Sequence, residues 1–195
     1  MPVPHIVGTD HKQPAETAGY SINHLALIVS DIKSIRHFYG DILGLRHIVT
    51  HEASPTYQVT YMGHPTNEAG FQTGEELLRN LRYRDGLIEF LHSIGLDTSK
   101  THLTVDDVRT GGFFHLGFVV PDVRAAEKRL KEFGVPILRA LRDSNIEPGS
   151  DVAKWWGLDR AHDLEAIVGT RAMKLENILL VTDPEGNVVE IVERE

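Results

Sequence analysis

The chain has 195 residues, no cysteine and a formal net charge of −8. That length suits one ordinary domain or two small fused modules. The acidic balance argues against nucleic acid as a partner, and the missing thiols exclude disulfides, thiolate catalysis and Cys-ligated metal sites. No stretch is long and apolar enough to cross a membrane. Residues 1–20 are polar, broken by Pro2, Pro4 and Pro14, and hold no apolar core of signal-peptide length. A cytoplasmic protein with a flexible N-terminal arm over 1–20 is expected.

Ser21–Val29 alternates with the strand period, so Ile22, His24, Ala26 and Ile28 share one face. Asp31 then opens a helix as its N-cap. Ile32, Ile35, Phe38 and Ile42 form the buried side of that helix, and Gly44 ends it. Leu45–His51 and Tyr57–Gly63 read as the next two strands. A short helix is expected over Gly74–Arg82, and Asp85-Gly86 turns the chain into a strand over Leu87–Leu91 or a little longer. Leu87, Glu89 and Leu91 share a face of that strand.

Lys100–Gly112 is a polar connection. Phe113–Val120 then repeats the opening strand, with Phe113, His115, Gly117 and Val119 on one face. Asp122 caps a helix whose buried side is Val123, Ala126, Leu130 and Phe133, and Gly134 ends it. Val135–Leu138 starts a strand. Arg139–Leu175 is too long for a hairpin and holds Trp155-Trp156 and a helical stretch over Arg160–Val168. Asn177–Thr182 is a strand, Asp183-Pro184-Glu185-Gly186-Asn187 a turn, and Val188–Val192 the last strand.

The two halves repeat. His24-Leu25-Ala26-Leu27-Ile28-Val29-Ser30-Asp31 aligns with His115-Leu116-Gly117-Phe118-Val119-Val120-Pro121-Asp122, and the histidines stand 91 residues apart. The expected organisation is an arm over 1–20, a first module over 21–99, a linker over 100–112, and a second module over 113–195 with a long insertion at 139–175.

Each half closes on a strand with one glutamate among apolar neighbours, Glu89 and Glu190. A buried carboxylate is costly unless a proton, a cation or a metal compensates it, and two carboxylates at one site repel. A divalent cation removes both costs and binds neutral imidazole and carboxylate well. The small residues Ala26 and Gly117, two places after each histidine, leave room for a ligand. His51, His64 and His162 follow no pattern and read as solvated loop residues.

These residues resemble the vicinal oxygen chelate superfamily, which includes glyoxalase I, extradiol dioxygenases, methylmalonyl-CoA epimerase and the fosfomycin- and bleomycin-resistance proteins. The motifs are His24 on the first strand, Ile88-Glu89-Phe90-Leu91-His92, Gly112-Phe113-Phe114-His115-Leu116-Gly117, and Asp183-Pro184-Glu185-Gly186-Asn187-Val188-Val189-Glu190-Ile191. The resemblance, nearest to eukaryotic glyoxalase I-like proteins, covers residues 20–193. It implies an α+β fold of two βαβββ modules that form a cupped mixed sheet around one metal. His24, Glu89, His115 and Glu190 would hold one divalent ion (Zn, Ni, Co, Fe or Mn). The substrate would be a small molecule with two adjacent oxygens, with Glu190 first and Glu89 second as the catalytic base. His92 is a weaker base candidate, and Trp155, Trp156 and His92 are candidate substrate contacts. A homodimer is compatible with the family.

The sequence departs from glyoxalase I where that family holds glutathione. Ile28 and Gly111 stand in place of arginines, with Arg109 near the latter, and Ser93 replaces an asparagine. The family's lysine-bearing loop gives way to the 139–175 segment. A charged tripeptide would lose its main cationic contacts. The expected activity is therefore a metal-dependent lyase or isomerase that works by proton transfer and does not use glutathione. The alternatives are an iron-dependent extradiol dioxygenase and a metal-free binding or resistance protein. A fourth protein ligand, Glu89, counts against the dioxygenase.

Overall fold

The computed structural model describes residues 7–8, 10–65, 72–95, 113–143, 146–147, 149–150, 152–153 and 177–194. Trp155, Trp156, His162, Arg109, Gly111, the 100–112 linker and the helical stretch expected at 160–168 lie outside the described residues. The chain divides into two compact units, one over Ile6–Thr101 and the other from His102 to Glu195. No helix among the described residues is long and apolar enough to cross a membrane.

In the first unit, β1 (His24–Val29) leads into α1 (Ile32–Arg36). β2 (Arg46–Ser54), β3 (Tyr57–Gly63), α2 (Gly74–Arg79) and β4 (Leu87–Ser93) follow. The sheet order is β1-β4-β3-β2, with β1 parallel to β4 and the other pairs antiparallel. Asp31 caps α1 as expected, its carboxylate accepting from the backbone amides of Lys33 and Ser34. Hydrogen bonds from Ser34, side chain before backbone, hold that carboxyl below the usual range.

One continuous α-helix to Gly44 was expected here. The helix instead widens into a π-segment over His37–Ile42, where the Leu43 amide donates to the Phe38 carbonyl at 3.0 Å. The wider turn lets adjacent Phe38 and Tyr39 both reach the sheet, together with Ile42. Tyr39 meets Phe90 of β4 at 5.1 Å between ring centres, and a fully buried aromatic of this kind contributes about 2–3 kcal/mol. The opposite face of the sheet is closed by Ile48, Leu77 and Leu87, with Leu77 supplied by α2. A capping box between Thr73 and Glu76 starts α2. It stops at Arg79, and a 3-10 turn over Leu81–Tyr83 follows.

The second unit contains β5 (His115–Val120), α3 (Val123–Glu132), β6 (Ile137–Arg139), β7 (Leu179–Thr182) and β8 (Val188–Glu193). Its sheet order, β5-β8-β7-β6, repeats that of the first, again with the opening strand parallel to the last. Asp122 caps α3 through the amides of Arg124 and Ala125, and Gly134 ends it at φ 71°. Leu179 faces Ile191 and Val181 faces Val189 across β7 and β8, and all four are buried. The turn over 183–187 is tied by Asp183, which accepts from the amides of Glu185 and Asn187 at 2.9 and 2.8 Å. The sheets and sparse helices make this an α+β fold with two βαβββ units.

Candidate metal centre

His24 and Glu89 come together through strand register. β1 and β4 run parallel with Ala26 opposite Glu89, so His24 and Glu89 project from the same face on adjacent strands. His24 Nε2 stands 3.0 Å from Glu89 Oε2. The other ring nitrogen, Nδ1, is 2.9 Å from Asn23 Oδ1. The Asn23 amide has a fixed orientation, because its Nδ2 donates to the carbonyls of Leu81 and Arg84 at 2.9 and 2.6 Å. Oδ1 is thus an acceptor, Nδ1 carries the proton, and a neutral His24 turns its Nε2 lone pair toward the Glu89 carboxylate. Two acceptors 3.0 Å apart repel. The contact is favourable only with a proton or a cation between them.

Tyr61 completes this group. It lies opposite Glu89 on β3, donates a hydrogen bond to it, and meets the His24 ring edge-on at 5.5 Å. Burial, then the Glu89 hydrogen bond and charge, push the Tyr61 phenol above the usual tyrosine range. His51 was expected in a solvated loop. It instead stands on β2, exposed, with its ring 6.3 Å from that of Tyr61. The alternation of Tyr57–Gly63 together with the β3–β4 pairing was the signal for Tyr61. Without the register, any of several residues could have faced Glu89.

The second unit repeats the pairing more loosely. Gly117 lies opposite Glu190, and His115 Nε2 is 3.7 Å from Glu190 Oε2. Phe114 takes the position of Asn23, meeting the His115 ring at 4.8 Å, and His115 Nδ1 is buried with no hydrogen-bond partner among the described residues. Among the described residues, a Cβ added at Gly117 would touch nothing within 4 Å, so they leave room beside Glu190. Farther along this face, Ile146, Val152 and Ala153 from the 139–175 segment pack on Leu180 and Val188.

The four expected ligands are thus brought together in twos. Among the described residues, no group of three or more His, Asp or Glu side chains is gathered for a metal ion. The donors in each pair fit a divalent cation. They comprise one imidazole nitrogen and one carboxylate oxygen on one face, with His24 held in the ligating tautomer. His92 falls three residues after Glu89, on the opposite face of β4. Its Nε2 lies 3.1 Å from the Ser30 carbonyl.

Comparison with known proteins agrees with this architecture. The family model described as Glyoxalase/Bleomycin resistance protein/Dioxygenase superfamily matches residues 21–191, and the chain belongs to that superfamily. It is 28% identical over 182 residues to a protein from Pseudomonas aeruginosa named lactoylglutathione lyase, covering 92% of this chain and 85% of that one. The glyoxalase I structure from Leishmania major superposes with a TM-score of 0.50 at 16% identity, covering 90% of this chain and 87% of that one. A glyoxalase/bleomycin resistance protein/dioxygenase domain from Frankia sp. EAN1pec gives 0.51 at 16% identity, covering 90% and 98%.

Proposed function

We propose that the protein is a metal-dependent lyase or isomerase that moves a proton on a small substrate with two adjacent oxygens. His24, Glu89, His115 and Glu190 would serve as the metal ligands. The observation that carries this reading is the His24–Glu89 pair, in which Asn23 Oδ1 engages Nδ1 and leaves Nε2 facing the Glu89 carboxylate at 3.0 Å. A divalent cation held by these residues would supply Lewis-acid stabilisation of the charge that develops on a substrate oxygen. The protein's own part is positioning and proton transfer. Glu190, beside Gly117 where the described residues leave room, is the first candidate for the base, and Glu89 is the second. Tyr61 orients Glu89, and Asn23 orients His24.

The P. aeruginosa relative is named for a glutathione thioester, and the L. major enzyme is described as trypanothione-dependent. We propose that this chain acts on neither kind of thiol adduct. Ile28, where glyoxalase I has an arginine, is half exposed and apolar on the His24 face. Such a position attracts an uncharged group and gives no fork for a carboxylate. Cytoplasmic location and homodimer formation belong to the same proposal.

The test is metal analysis of protein purified without added ions, beside the double variant Glu89→Ala, Glu190→Ala. About one divalent ion per chain that is lost in the variant supports the reading. No bound metal, and none taken up from zinc, nickel, cobalt, iron or manganese, would overturn it and favour a metal-free binding protein. Methylglyoxal with glutathione is the substrate control, and turnover of it would overturn the exclusion of glutathione.

A further inference from the structure

The face of the first sheet opposite His24 and Glu89 carries a polar cavity, of about 570 Å³, between α1 with its π-segment and strands β2 and β3. This volume is in the range of small-molecule sites. Three permanent cations line it, Lys33, Arg36 and Arg46. Among the described lining residues the one carboxylate is Asp41, already engaged by His37 Nδ1 at 2.8 Å. A chain with a net charge of −8 has thus collected local positive charge around a single cavity.

Two further features distinguish the cavity from a chance dip in the surface. The Arg36 and Arg46 side chains make no ion pair or hydrogen bond among the described residues, so both guanidinium forks remain available. The floor is polar and ordered. Thr60, 1% exposed, shares a hydrogen bond with Thr50 at 2.9 Å, and Thr50 Oγ1 lies 2.8 Å from His47 Nε2. Burial, and then the Arg36 charge, hold His47 below the usual histidine range. The wall is the π-segment itself, a helix irregularity that recurs at functional sites.

We propose that this cavity is a binding site for a small phosphate-bearing molecule, with Arg36 and Arg46 as the phosphate clamp and Lys33 at the rim. Guanidinium groups bind phosphate bidentately. Three cations set against the engaged Asp41 match the roughly −1.5 to −2 charge of a phosphate monoester better than that of a lone carboxylate. The site is independent of the metal centre.

Inorganic phosphate is the probe, titrated calorimetrically into the full chain at low ionic strength, with malonate as the dicarboxylate control. Saturable binding of phosphate in preference to malonate is expected. Arg36→Gln with Arg46→Gln should weaken it by roughly tenfold or more. Glu89→Ala with Glu190→Ala should leave it unchanged. Circular dichroism checks that the arginine variant folds, and Lys33→Gln, at an exposed position, should weaken binding several-fold on its own. The proposal is overturned by no saturable binding, by binding that survives all three cation substitutions, by loss in the glutamate variant, or by tighter binding of malonate.

Discussion

Asn23 fixes the chemistry of His24. Its Oδ1 accepts from His24 Nδ1 at 2.9 Å, while its Nδ2 is spent on the carbonyls of Leu81 and Arg84. Orienting partners of this kind are worth roughly 10–100-fold in metal affinity. Asn23→Ala should lower metal affinity by about that factor and lower stability by about 1–3 kcal/mol, because two backbone carbonyls lose their donors. Chelator competition on the folded variant separates the two effects. Unchanged affinity would remove Asn23 from the site.

Tyr61→Phe deletes only the hydroxyl that donates to Glu89. The expected result is full metal content, a stability loss of about 1 kcal/mol, and slower turnover as Glu89 loses its orientation. Equal turnover in variant and parent would show that the hydrogen bond serves stability alone.

Gly117 and Gly74 should respond oppositely to added bulk. A Cβ at Gly117 meets none of the described residues within 4 Å, whereas one at Gly74 would lie 2.5 Å from the His47 carbonyl oxygen. Gly117→Ala should be neutral or stabilising by about 0.5 kcal/mol. Gly117→Leu should keep the fold and block substrate beside Glu190. Gly74→Ala should cost about 1–3 kcal/mol, because the obstacle is backbone. Melting temperatures for the three variants settle the order.

His47 makes stability depend on pH. Its folded pKa lies below the value of about 6.5 for the unfolded chain, so the unfolded state binds more protons in that window. Stability therefore rises with pH up to about 6.5 and falls on acidification. In His47→Gln the drop in melting temperature from pH 7 to pH 5 should be smaller. Asp31 and Glu76, both held below their usual carboxyl range, act at lower pH, whereas His64, which burial also holds below the usual histidine range, acts in the same window and sets the drop that remains in the variant. An identical drop in variant and parent would contradict the assignment.

Local chemistry made much of the fold legible in the sequence. Alternation placed His24, Glu89, His115 and Glu190 on strand faces, and Asp31 and Asp122 marked helix starts because their carboxylates satisfy orphan amides within three residues. The repeat of His24 in His115 exposed the paired architecture, and the two units do carry the same strand order. Tertiary structure alone decided the rest. The widening of α1 at His37 depends on Phe38 and Tyr39 both finding the sheet, a packing demand that a helical period does not encode. The roles of Tyr61 and Asn23 depend on which residues register and loop closure bring beside them. The cavity at Arg36 and Arg46 joins two elements whose cations look in sequence like ordinary solvated charges. Proximity across strands and loops is a product of packing, and one sequence records only the local half of it.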